Sequence, residues 1–285
     1  MRARYFISTA ILAALITPAA PAMAADVFGP LRGTQYGGPA MTPVTSWEGG
    51  YFGGFAGLTN VRANAPDGFK DFLDHELRLN AFANNTGIAN WIEIPDRRNQ
   101  GGSFGFFAGY NYQIDEAVLG VEFDYSRSNR KAVASDSLAR VTSLDGLFGN
   151  EGSLEGESGA VTMSGESKLH LRDLMTLRAR AGYTIGSMLP FVTGGLALAN
   201  YTRTYTATRN VRVVSGPETG NTFTQTYGPE RKSGFGIGLA AGAGVDVGVT
   251  ENLFVRGEWQ YLHFNDLGGI KADINNFRAG AAVKF

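Results

Sequence analysis

From Trp47 onward, apolar and polar residues alternate with a period of two in short segments, the mark of strands with two unlike faces. Eight such segments stand out, at 49–60, 102–112, 117–128, 168–183, 189–205, 233–248, 252–264 and 272–285. In the third, Leu119, Val121, Phe123 and Tyr125 share a face opposite Glu122 and Asp124. In the fourth, Met175, Leu177, Ala179, Ala181 and Tyr183 oppose Arg178 and Arg180. The sixth sets Phe235, Ile237 and Leu239 against Gly236, Gly238 and Asp246, and the seventh sets Leu253, Val255, Trp259 and Tyr261 against Arg256 and Glu258. The last alternates Phe277, Ala279, Ala281, Val283 and Phe285 with Arg278, Gly280, Ala282 and Lys284. In segments one and five alternation does not distinguish the faces, and Asp173 interrupts the apolar face of segment four unless it stands above a membrane.

The connectors alternate in length. Those at 113–116, 184–188 and 249–251 are tight, whereas 61–101, 129–167, 206–232 and 265–271 are mostly long and polar. An even number of amphipathic strands joined in this way predicts an all-β fold: an eight-stranded antiparallel transmembrane β-barrel with short periplasmic turns and long extracellular loops. The apolar face then meets lipid and the charged face fills the lumen. Within the first long loop, Phe69, Phe72, Leu73 and Leu77, with Phe82 close by, approximate one helical face. A short amphipathic helix is expected there, lying on the barrel mouth or the lipid surface. Alternation in the third long loop predicts that strands five and six run beyond the membrane as a hairpin.

Composition sharpens this picture. Glycine accounts for 39 of 285 residues, and an eight-stranded barrel has an interior only wide enough for side chains, so inward glycines are expected to make room for long partners. Mean hydropathy is −0.10, and after the first residues no apolar run of ~18 residues exists, which excludes a helical membrane protein. At the amino terminus, Arg2 and Arg4 precede an apolar run, and Ala22-Met23-Ala24 is a cleavage signature. Residues 1–24 are therefore read as a signal peptide cleaved after Ala24, 25–46 as a Pro/Gly-rich periplasmic tether, and 47–285 as the barrel. There is no cysteine, hence no disulfide or thiolate chemistry, and a net charge of −1 gives no reason to expect nucleic acid.

Three groups of residues emerge as candidates. Arg178, Arg180, Arg256 and Arg278 balance Glu122, Asp124, Asp246 and Glu258 on the inward face and predict a lumen charge network acting as a plug. Tyr112, Tyr125, Tyr183, Phe254, Trp259, Tyr261 and Phe285 are expected to form aromatic girdles at the lipid interfaces. Arg278, Gly280, Val283 and Phe285 resemble the C-terminal signal read by the barrel-assembly machinery.

The stretches SWEGGYFGG (46–54), GVEFDYS (120–126), LRARAGY (177–183), LPFVTGGLA (189–197), AAGAGVDVGVTENLFVRGEWQY (240–261) and FRAGAAVKF (277–285) carry a resemblance to a known family. The chain resembles the Omp25/Omp31-like outer-membrane proteins of the alphaproteobacteria, related in architecture to the membrane domain of OmpA. The resemblance implies an abundant surface barrel of the Gram-negative outer membrane that contributes to envelope integrity; some members of the family act as porins, haemin binders or surface antigens. The leading expectation is a non-catalytic structural protein with a side-chain-plugged lumen. Its partners are outer-membrane lipid, lipopolysaccharide and the barrel-assembly machinery. A narrow porin for small solutes is the alternative, and haem or host-surface binding through the loops is a further one.

Chemical motifs are sparse. Gly236-Ile-Gly238-Leu-Ala-Ala241 matches a dinucleotide fingerprint in letters only, because alternation continues through it with no following helix. His170 and His263, near Asp173 and Asp266, come without a recognisable nucleophile. His75 in the first loop is the residue a haem pocket would use. Asp145, Glu151, Glu155, Glu157 and Glu166 lack the spacing of a calcium loop. No enzyme activity, cofactor or metal is expected.

Overall fold

The computed structural model describes residues 46–64, 66–147 and 154–285, so the signal-peptide and tether assignments lie outside the described residues. Among the described residues eight strands form a closed antiparallel barrel in simple chain order. They are β1 (Gly49–Asn64), β2 (Arg97–Ile114), β3 (Ala117–Ser143), β4 (Ser158–Tyr183), β5 (Met188–Ser215), β6 (Thr222–Gly248), β7 (Leu253–Phe264) and β8 (Lys271–Lys284). Closure runs through β1 and β8, with Phe52 opposite Val283 and Leu58 opposite Phe277. No edge is left in the membrane-height wall, which is what lipid demands of a sheet.

The outer face at that height is apolar and open. Leu177, Val192, Leu239 and Phe277 are each more than half exposed, and alternate neighbours on the same strands are buried. In segment one, Tyr51 and Phe55 point inward and Phe52 and Leu58 outward. In segment five, Leu189, Phe191 and Thr193 point inward and Val192 and Leu196 outward. Alternation could not assign these faces because both sides of each strand are apolar.

The wall is uneven. β7 and β8 have 12 and 14 residues, about what a bilayer requires, whereas β3, β4, β5 and β6 have 27, 26, 28 and 27. The segment 129–167, read from sequence as a long polar loop, is thus mostly strand, and β3–β4 rises beside β5–β6 as a second long hairpin. Register breaks at Arg127/Arg130 and Leu171/Asp173 lie where β2 stops pairing with β3, and a third, at Tyr205/Ala207, lies higher in the β5–β6 hairpin. A bulge inserts an unpaired residue and resets which side chains face inward. In β4 the inward positions are Leu174, Thr176 and Arg178 below the bulge but Leu171, Leu169 and Ser167 above it. Asp173 lies at the bulge and accepts a hydrogen bond from Tyr125 on the outer face, at 2.7 Å.

The concave side of the tall sheet holds the loop between β1 and β2. It contains α1 (Pro66–Leu77), α2 (Ala81–Thr86) and a 3-10 turn at Ile88–Asn90. Asn80 caps α2 by accepting from the Ala83 amide at 2.9 Å, and Gly87, at φ 62°, ends it in the left-handed region that glycine tolerates. Phe69, Phe72, Leu73 and Leu77 are buried as predicted for one helical face. Of the two seats expected for this helix, the structure shows the mouth. Phe69 meets Tyr205 of β5 edge-on at 5.6 Å, and the same apolar core includes Val161, Met163 and Phe264.

Candidate functional site

The lumen is filled in three layers. At the short-turn end, Trp47, Tyr51, Phe55, Phe107, Val118, Leu189 and Phe254 form an apolar floor. Trp47 is anchored there by its amide, which donates to Gln113 Oε1 at 2.7 Å. Phe254 is 3 % exposed and packs between Trp47 and Tyr51, with ring centroids 5.6 and 5.7 Å away. Its expected place in the outer aromatic girdle is therefore corrected: Leu253 and Val255 hold the outward parity, and Phe254 falls between them. Tyr112, Tyr183 and Phe285 are exposed on the outer face, as is Trp259, while the Tyr125 and Tyr261 hydroxyls donate to Asp173 and Asp273.

Above the floor lie the eight charged residues singled out from sequence, all in one layer and all nearly inaccessible. Glu122 and Asp124 project from β3, Arg178 and Arg180 from β4, Asp246 from β6, Arg256 and Glu258 from β7 and Arg278 from β8. Arg178 donates to Glu122 at 2.6 Å, Asp124 at 2.9 Å, Glu258 at 2.5 Å and Thr193 at 2.8 Å. Arg256 grips Asp246 with two parallel bonds of 2.7 and 2.9 Å, the planar fork meeting a planar carboxylate. Its remaining nitrogen reaches Glu122 at 2.5 Å. Arg180 donates to Asp246 at 2.5 Å, and Arg278 to Glu258 at 2.8 and 3.0 Å and to Asp124 at 3.2 Å. The layer thereby ties together strands that do not pair with each other, with its charges balanced four against four.

The surroundings explain how such a layer is tolerated. Three of the four guanidiniums rest on aromatic faces: Arg180 on Phe191 at 3.9 Å, Arg256 on Phe107 at 4.2 Å and Arg278 on Phe55 at 4.5 Å. Tyr51 donates to Glu122 at 2.8 Å and Thr176 to Asp124 at 2.5 Å, satisfying further carboxylate lone pairs. Gly242 faces Arg178, and a Cβ there would stand 2.8 Å from Thr193 Oγ1 and 3.2 Å from Arg178 Nη1. A Cβ at Gly244 would meet the Phe191 ring at 2.7 Å, so inward glycine makes room for rings as well as for arginine. The aromatic supports were not read from sequence because they lie mostly on the segments of ambiguous parity. Above the charges, the apolar core around α1 and Tyr205 forms the third layer.

The remaining sequence candidates are scattered. His170 lies on β4, where it pairs in register with Lys131 and Thr202. His263 lies on β7, hydrogen-bonded to Asp273 at 2.7 Å and Asn265 at 2.9 Å. Asp266 accepts from the Gly269 amide within its own turn at 2.5 Å and Asp173 accepts from Tyr125, so the acid bonded to His263 is Asp273 and not the nearby Asp266. His75 is exposed on α1, beside a cleft of about 510 Å³ shared with Arg203 and Glu230. Of the second-loop acids, Asp145 accepts from the Gly156 amide at 2.7 Å and Glu157 is buried. Glu151 lies outside the described residues. Gly236 to Ala241 is continuous β6, without the turn and helix of a phosphate cradle. Of the C-terminal residues, Arg278 and Gly280 face the lumen and Val283 and Phe285 face outward.

The chain is similar over most of its length to known outer-membrane proteins. The pattern of the outer membrane protein beta-barrel domain family matches residues 10–285. The 25 kDa outer-membrane immunogenic protein of Brucella melitensis biotype 1 is 27 % identical, covering 96 % of each chain, and that of Brucella ovis is 26 % identical over the same share. Among solved structures, OprG from Pseudomonas aeruginosa is 13 % identical with a TM-score of 0.37, covering 85 % of this chain and 99 % of its own. Ail of Yersinia pestis is 13 % identical with a TM-score of 0.36, covering 84 % of this chain and 99 % of its own. With the family pattern spanning the entire barrel, the chain belongs to the outer-membrane β-barrel family, as an Omp25-like protein of the Gram-negative outer membrane.

Proposed function

We propose that the protein is a non-catalytic structural and surface component of the outer membrane, a sealed barrel that contributes to envelope integrity and carries a compact extracellular head. The observation that supports this reading is the buried layer of four arginines and four carboxylates, closed off by an aromatic floor on one side and an apolar core on the other. A hydrated ion on the lumen axis would have to part guanidiniums that each hold a carboxylate, three of them also standing on aromatic rings. It would then have to cross two apolar layers, where an unpaired charge is costly. These obstacles weigh against the narrow-porin alternative.

The partners follow from the surface. The outward apolar band meets lipid, and lipopolysaccharide lies against its upper rim. The barrel-assembly machinery is proposed to read Arg278, Gly280, Val283 and Phe285 before the barrel closes, and the leader is proposed to be cleaved after Ala24, with 25–46 left as a periplasmic tether. The experiment is single-channel conductance of the refolded mature chain in a planar bilayer, with folding verified by a heat-dependent gel shift. Silence from inserted barrels is expected. Frequent, uniform openings would reassign the protein as a porin.

A further inference from the structure

Among the described residues, the extracellular head buries a charge that no carboxylate answers. Arg209 projects from β5 into the apolar core and is 7 % exposed. The lumen arginines each hold a carboxylate, and Arg203 donates to Glu230 at 2.6 Å. Arg209 has no ion pair among the described residues, and its Nη1 is buried without a hydrogen-bond partner. Its guanidinium lies instead near the rings of Phe82, at 5.5 Å, and Tyr227, at 5.8 Å. The Tyr227 hydroxyl is likewise buried and unpartnered. Burial pushes the Arg209 guanidinium below its ordinary range, but a guanidinium does not deprotonate in proteins, so the charge persists and has to be compensated.

Beside this group opens a cavity of about 280 Å³, lined by Leu147, Val211 and Phe223 and rimmed by Thr222, Thr224 and Gln225. It sits near the lower limit of the ~300–1,000 Å³ usual for ligand pockets. An inorganic anion would answer the charge but leave the apolar wall unfilled, and a neutral apolar molecule would do the reverse. We propose that this cavity binds an oxyanion on a short apolar body, an alkyl carboxylate or alkyl phosphate, with Arg209 as the anchor. Arg209 itself lines the cavity, and the guanidinium fork presents parallel donors to either oxyanion. The inference is independent of whether the lumen conducts.

The test uses the full chain refolded into phosphatidylcholine nanodiscs and titrated calorimetrically with hexanoate, hexyl phosphate, hexanol and inorganic phosphate. Hexanoate or hexyl phosphate is expected to bind once per chain, roughly tenfold or more tightly than hexanol and inorganic phosphate. Arg209→Met is expected to abolish that binding, and Arg209→Lys to weaken it because an ammonium lacks the fork. Removing an unpaired buried charge should not impair folding, and the heat-dependent gel shift checks this. Val211→Phe, which fills the wall and keeps Arg209, supplies a second variant and should also weaken binding. Hexanol binding as tightly as hexanoate, inorganic phosphate as tightly as hexyl phosphate, unchanged binding by Arg209→Met, or no binding at all would each overturn the proposal.

Discussion

Adjacent side chains on β4 live in opposite solvents. Arg178 is buried among Glu122, Asp124 and Glu258, and Leu177 next to it is 61 % exposed on the outer face. Removing one member of a buried ionic group leaves the others uncompensated, so Arg178→Leu is expected to cost about 3–5 kcal/mol in reversible urea unfolding from lipid vesicles. Leu177→Arg is expected to cost about 2–4 kcal/mol at the bilayer midplane, by the opposite route of placing a charge in lipid. An unchanged folded fraction for Leu177→Arg would contradict the assigned face. Phe254 gives the matching test for the floor: Phe254→Ala removes a ring packed between Trp47 and Tyr51 and should cost about 3–5 kcal/mol by the same measurement. A girdle residue at a lipid surface would lose far less.

The tall strands β3 to β6 need a second core, because a sheet above the membrane has water on its outer side and must bury its inner one. The loop helices supply that core. Replacing 66–94 by a short Gly/Ser linker should leave the gel-shift signature of the inserted barrel intact while making β3–β6 above their bulges cleavable by external protease. Continued protection would mean that the sheet is held by its own ladder. His170, on the outer face of β4 above the bulge, gives this region a pH dependence. Burial, then Arg172, Lys131 and Arg231, push its imidazole below the ordinary value of about 6.5. The folded state therefore binds fewer protons than the unfolded one in the interval between the two values. Stability contributed above about pH 6.5 should fall as the pH drops through the lowered folded value, and His170→Gln should flatten that slope in pH-dependent unfolding.

At the scale of the assembled barrel, Phe285 takes part in the closing seam through its backbone. The Phe285 amide donates to Gly50 O at 2.9 Å, completing the β8–β1 seam, while its ring is 79 % exposed on the outside. Buried area therefore gives the ring little part in final stability, which leaves its proposed part in assembly. Deleting Phe285 should slow appearance of the heat-modifiable form in assembly reactions with little change in the unfolding midpoint of barrels that do form. A normal assembly rate would remove the signal role.

The barrel itself was legible along the chain because a membrane-height wall imposes a local rule. Each strand must alternate lipid-facing and lumen-facing residues, and Leu177, Arg178, Ala179 and Arg180 obey it without reference to any distant contact. The charged residues were legible for the same reason, since no outward position in lipid would tolerate them. Tertiary structure decided everything that this rule does not constrain. Where the lumen is itself apolar, around Phe55 and Phe191, both faces of a strand look alike and only packing tells them apart. Above the bilayer, bulges reset the parity, so the upper halves of β3 and β4 lost their periodic signature and read as loop. The seat of α1, the partner chosen by each arginine and the unanswered charge of Arg209 depend on groups brought together from strands remote in sequence, and periodicity along one strand carries no information about those meetings.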